Sequence, residues 1–220
     1  MMSINSKLRE NARVQLESKW GKPVLMGFLY MVIAAIPALF LLIRDNHPYI
    51  SPALQIIVSV LIAGPLLVGA IMFSLRFKRG EEPGVAVLFE GFKHFGSTLG
   101  LYLWYTLWTL LWSLLLIIPG IIKSISYSMC FYVMADNPEI GIKNALKMSK
   151  KITKGYKGKI FVLYLSFVGW SYLAMLTLGI GFLWLVPYMQ ISYANLYDEL
   201  KSQSIEKSVC TFEEFTKTVG

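Results

Sequence analysis

The feature that most constrains this chain is the length of its charge-free blocks. No Asp, Glu, Lys or Arg occurs between Lys22 and Arg44 (21 residues), Asp45 and Arg76 (30), Lys93 and Lys123 (29), or Lys159 and Asp198 (38). About 20 mostly apolar residues suffice to carry a helix across roughly 30 Å of hydrocarbon. A soluble domain has no use for four such blocks, and a composition that is 55% apolar and only 15% charged points the same way. The sequence therefore reads as a polytopic membrane protein. Its first twenty residues are charged throughout and lack the apolar core of a cleavable signal peptide, so the first block is expected to be retained.

The basic residues supply a topology test, because short Lys/Arg-rich loops stay on the cytoplasmic side. They fall in four groups, Lys7 to Lys22, Arg76 to Lys93, Lys143 to Lys159 and Lys201 to Lys217, with only Arg44 and Lys123 outside. Placing all four groups in the cytoplasm puts 19 of 21 positive charges there and requires every intervening apolar stretch to cross an even number of times. The expectation is an all-α, polytopic helical membrane protein with six transmembrane helices in three hairpins. Residues 23–43 and 52–75 would form the first, joined by the polar loop 44–52; residues 97–118 and 121–135 the second, turning at Pro119-Gly120; residues 160–197 the third, turning at 177–181. Both termini would be cytoplasmic.

Each hairpin is expected to follow an amphipathic interfacial helix, its apolar residues three and four apart. The first carries Leu8, Ala12, Leu16 and Trp20, the second Val85, Leu88, Phe89, Phe92 and Phe95, and the third Ala145, Leu146, Ser149, Ile152 and Tyr156. Residues 1–220 thus form one membrane domain with repeated segments 1–80, 81–137 and 138–200 and a cytoplasmic tail, 201–220. On the third surface helix Lys143, Lys147, Lys150, Lys151 and Lys154 occupy the face opposite the apolar one, a candidate contact for anionic lipid headgroups. The same placement accounts for the net charge of +8 without nucleic acid.

Chemistry is sparse. His47 and His94 have no second histidine at ligand spacing, and Cys130 and Cys210 lie too far apart for a metal motif, so no metal site or cofactor is expected. No acyl-transfer, zinc-protease or P-loop motif occurs, and no acidic residue lies deep in an expected span, as a proton-coupled carrier would have it. The neutral polar residues Ser124, Tyr127 and Ser128, bordered by Lys123, share one helical face; Tyr188, Ser192 and Asn195 form a line on the last span and Gln190 begins another with Tyr193 and Tyr197. They serve either as interhelical hydrogen bonds or as a candidate polar groove. The turn Asp136-Asn137-Pro138 reads as a helix cap, and Thr211-Phe212-Glu213-Glu214 as a capping box.

Several runs, among them GPLLVGAIMFSLRFKRGEEP, FEGFKHFGSTLGLYLWYTLW, LLIIPGIIKSISYSMCFYVMADNPEI, ALKMSKKITKGYKGKIF and LGIGFLWLVPYMQISYANLYDEL, together resemble a bacterial integral-membrane family catalogued as domain of unknown function 975. The resemblance implies a protein of the bacterial cytoplasmic (inner) membrane and supplies no catalytic residues. The expected function is a non-catalytic module that organises or protects the envelope by binding lipid or a membrane-protein partner, including a second copy of itself. The alternatives are a transporter or transporter subunit for a small or amphipathic solute and, less favoured, a lipid-headgroup enzyme.

Overall fold

The computed structural model describes residues 4–17, 19–44, 52–115, 117–177, 179–207 and 209–216, and every regular element among them is helical. In chain order these are α1 (Ile4–Leu16), α2 (Gly21–Arg44), α3 (Pro52–Lys78), a 3-10 segment (Val85–His94), α4 (Phe95–Leu115), α5 (Ile117–Tyr127), α6 (Cys130–Asp136), α7 (Ile142–Thr153), α8 (Lys157–Leu176), α9 (Phe182–Glu206) and α10 (Phe212–Thr216).

Helix α3 is the central post. It packs against α2, the 3-10 segment, α4, α6 and α9, and Leu66, Val68, Ala70, Ile71, Met72, Phe73 and Leu75 are all buried. Half of its apolar window lies inside the protein, against 22% for α2 and for α8. Those two outer helices instead turn Leu25, Phe28 and Val32, and Val162, Leu165, Leu173 and Leu176, outward. Apolar surface of that extent on long helices is what a lipid environment covers.

Six spans in three hairpins are not what the structure contains. Among the described residues three helices are long and apolar enough to cross a membrane: α2 through Gly21–Ala38, α3 through Ala53–Lys78, and α8, Lys157–Leu176. The parity argument failed because it took each half of a long apolar block to be one continuous helix. The block after Lys93 breaks into α4, α5 and α6, and α5 and α6, of 11 and 7 residues, are far short of a crossing. Pro119 and Gly120 are not a loop tip; both lie in the first turn of α5, where Gly120 rests against Ser113 of α4. Helix α4 turns Leu107, Leu110 and Leu114 outward but is not among those three helices; its 21 residues include three Trp, two Tyr and five Ser or Thr. Helix α9 carries Asp198, Glu199 and Lys201 within it. The expected loop at 44–52 falls almost wholly outside the described residues.

The interfacial helices also need correction. Helices α1 and α7 form, but they bury their apolar faces in protein: Leu8, Ala12 and Leu16 against α8 and α9, and Ala145, Leu146, Met148 and Ile152 against α4, α5, α6 and α9. The middle copy is not an α-helix. Its ten 3-10 residues lie along α3 and pass straight into α4, with Phe95 already helical, so Gly96 is no corner. Runs of 3-10 helix beyond three or four residues are uncommon. This one is held by a backbone-to-backbone approach: a Cβ on Gly69 would overlap the Leu88 carbonyl, and one on Gly91 would overlap the Pro65 carbonyl. Gly91→Ala is therefore expected to destabilise by about 3 kcal/mol, the upper end for overpacking, because backbone rather than a flexible side chain must yield. Thermal unfolding of the purified protein in detergent checks this; an unchanged midpoint contradicts it.

Candidate functional site

All the charged segments meet at one end of the bundle. Lys19 and Lys22, flanking the start of α2, reach Glu82 at 2.8 and 3.1 Å, and their hydrogen bonds pull its carboxyl down to about 2. Arg76 grips Glu90 with two bonds of 3.0 and 2.6 Å. Asn5 of α1 donates to the Lys159 carbonyl at the start of α8, 3.1 Å away. Lys151 pairs with Glu214 at 2.7 Å.

The centre of this polar end is an ion network around Asp136, the last residue of α6. Arg79 Nη2 lies 2.7 Å from Asp136 Oδ1 and 3.3 Å from Asp198 Oδ1. Lys201 donates to Asp136 Oδ2, Lys78 donates to Asp198 Oδ2, and the Tyr197 hydroxyl donates to Asp136 Oδ2 at 3.1 Å. Tyr197 is fully buried and stacks on Tyr132, with ring centroids 5.8 Å apart. Burial opposes ionisation of Asp136, but the hydrogen bond and charge of Lys201 and the charge of Arg79 outweigh it and hold the carboxyl below the usual range. The network ties the ends of α3, α6 and α9 together.

Sequence reasoning missed it. Asp136 read as a cap; instead Gly141 is the N-cap of α7 and no side chain caps it, and Asn137 makes the turn, accepting from Glu139 N at 3.1 Å and donating to the Phe215 carbonyl at 3.0 Å. The partners of Asp136 lie 57 and 65 residues away in the chain, beyond any spacing rule, and counted in the sequence only as topology charges. The expected capping box is half made: Glu214 accepts from Thr211 N at 3.4 Å.

The five lysines of the third surface helix are together as expected. Lys143, Lys147, Lys150 and Lys154 are exposed and form no ion pair among the described residues, whereas Lys151 is half-buried on Glu214. Lys150 Nζ also lies 5.1 Å from the centre of the Tyr127 ring.

The eight residues of the candidate groove do not converge on one cavity. Ser124, Ser128 and Ser192 bond back to carbonyls of their own helices, those of Ile121, Ile125 and Tyr188. Lys123 lies over the Trp112 ring of α4 at 4.8 Å. Tyr188 donates to the Arg9 carbonyl at 3.2 Å, and Asn195 exchanges amide bonds with Gln15 at 3.0 and 3.4 Å, both on α1. Gln190 accepts from Ser74 of α3 at 3.2 Å. The α9 residues act as fasteners to α1 and α3. Among the described residues no three His, Cys, Asp or Glu side chains are grouped to hold a metal; His94 lines a crevice with Pro138, Glu139 and Asn144, and His47 lies outside the described residues.

These features define an all-helical, partly membrane-embedded protein whose charge is gathered at one end. The chain belongs to the bacterial membrane-protein family described as Protein of unknown function (DUF975), which it matches over residues 1–124 and 114–204. No curated protein and no solved structure matches it.

Asp136 provides a stability test. Its folded-state carboxyl lies below the unfolded one, so its contribution is present above the ordinary Asp value of about 3.9 and is lost as pH falls through the lower folded value. Asp136→Asn should cost about 3 kcal/mol at neutral pH by stranding Arg79 and Lys201, and should flatten the loss of stability below about pH 4. Unfolding midpoints measured across pH 3 to 7 check both parts.

Proposed function

We propose that this protein is a non-catalytic module of the bacterial cytoplasmic membrane that organises the envelope by holding anionic lipid at its polar end through the lysine face of α7. The observation that carries this reading is the exposure, without ion pairs, of Lys143, Lys147 and Lys150 on a helix whose opposite face is fixed to the protein, and of Lys154 at its C-terminal cap. By contrast Lys19, Lys22, Arg76, Lys78, Arg79, Lys151 and Lys201 are all in ion pairs. Four cations that the protein leaves unneutralised beside apolar helices are matched by acidic headgroups, at up to about 1 kcal/mol each near a charged surface. The Lys/Arg bias supports a cytoplasmic orientation for this end.

Detergent-purified protein should bind mixed micelles containing phosphatidylglycerol more tightly than micelles of phosphatidylcholine alone. Reversing Lys143, Lys147 and Lys150 to Glu should weaken that binding more than tenfold in roughly 0.15 M salt, in line with the energy per lysine. Equal binding by wild type and triple variant would sink the proposal. For sidedness, a cysteine replacing Lys154 in a Cys210→Ser background should react with an impermeant maleimide only after cells are permeabilised; labelling on intact cells contradicts the orientation.

A further inference from the structure

A second surface is built differently from the lysine face. Helix α1 crosses α8 and α9 obliquely: Asn5 bonds the Lys159 carbonyl, Arg9 Nη1 donates to Ser166 Oγ at 2.7 Å, and Gln15 pairs with Asn195. Beyond the crossing lies an open groove of about 510 Å3 between α1 and the α8–α9 pair. Its walls are Trp20, Trp170, Leu173, Trp184 and Tyr188, with Arg13 at the rim. Trp170, Leu173 and Trp184 are each about half exposed, and they sit on or beside α8, one of the three helices able to cross a membrane.

Arg13 is the informative residue. It is exposed and makes no ion pair among the described residues. Arg9, one turn earlier, is satisfied by Ser166. An exposed arginine bordering an apolar groove suits an anion, and a planar guanidinium matches a phosphate in bidentate fashion. Three indoles around it are the side chains that favour the boundary between headgroups and acyl chains.

We infer that the groove between α1 and the α8–α9 pair is a binding site for a single anionic phospholipid, its phosphate on Arg13 and an acyl chain along Trp170, Leu173 and Trp184. The site is independent of α7, because none of its lining residues belongs to the lysine face, so either can fail without the other.

Bromine on an acyl chain quenches nearby indoles, which makes the tryptophans reporters. Protein in phosphatidylcholine nanodiscs containing a small, increasing fraction of dibrominated phosphatidylglycerol should show a saturable loss of fluorescence. Dibrominated phosphatidylcholine should require about tenfold more to reach the same loss. Arg13→Gln should abolish this preference, Arg13→Lys should retain most of it, and Trp170→Phe with Trp184→Phe should remove the saturable component. Charge reversal on α7 should leave it unchanged. Equal quenching by the two lipids, or a preference that survives Arg13→Gln, overturns the inference.

Discussion

The structure depends first on how closely the chain can approach α3. Inside a bilayer, helices gain little from hiding apolar surface from one another, because lipid tails are equally apolar; close packing and polar pairing must do the work. Gly69 and Gly91 allow the 3-10 segment to lie with its backbone on that of α3. That approach fixes the start of α4 and so the position of everything the second charge-free block contributes. Replace either glycine and the segment must lift, carrying Arg76–Glu90 and the wall beside Asp136 with it.

A second layer of constraint is electrostatic. The ends of α3, α6 and α9 carry cations and carboxylates that would be costly to bury separately. Their arrangement compensates: two aspartates accept from three cations, with Tyr197 closing the inner side of Asp136. The tail uses the same device. Glu214 engages Lys151, the Asn137 side chain bonds the Phe215 carbonyl, and Phe215 comes to lie beneath Lys201, whose Nζ is 4.8 Å from its ring centre. Charge that topology rules count as a label is here also structural.

What the sequence disclosed follows from what spacing can encode. Helical periodicity placed Leu8, Ala12 and Leu16 on one face of α1 and the lysines opposite Ala145 and Ile152 on α7, because those relations span a few turns of one helix. The crossings were overcounted because half of a long apolar block was taken as a full-length helix: the second block breaks at α5 and α6, and in α9 tyrosines pack as Tyr164–Tyr193 and Tyr132–Tyr197 pairs inside the protein. The network at Asp136 was invisible for a different reason. Its members come from three helices and meet only after folding, so each alone looks like a flanking charge.

The fate of the amphipathic faces decides where lipid can act. An interfacial helix ordinarily presents its apolar side to acyl chains and its basic side to headgroups. Here α1 and α7 give the apolar sides that carry Leu8, Ala12 and Leu16, and Ala145, Leu146 and Ile152, to the protein, which leaves their polar sides exposed. On α7 that surface is four neighbouring lysines with no wall beside them, suited to many headgroups held loosely. On α1 it narrows to Arg13 beside three indoles, a geometry that suits one headgroup with its chain. The same sequence device, a basic amphipathic helix, thus presents an open surface in one place and a walled one in the other, and the difference lies in whether neighbouring helices add an apolar wall.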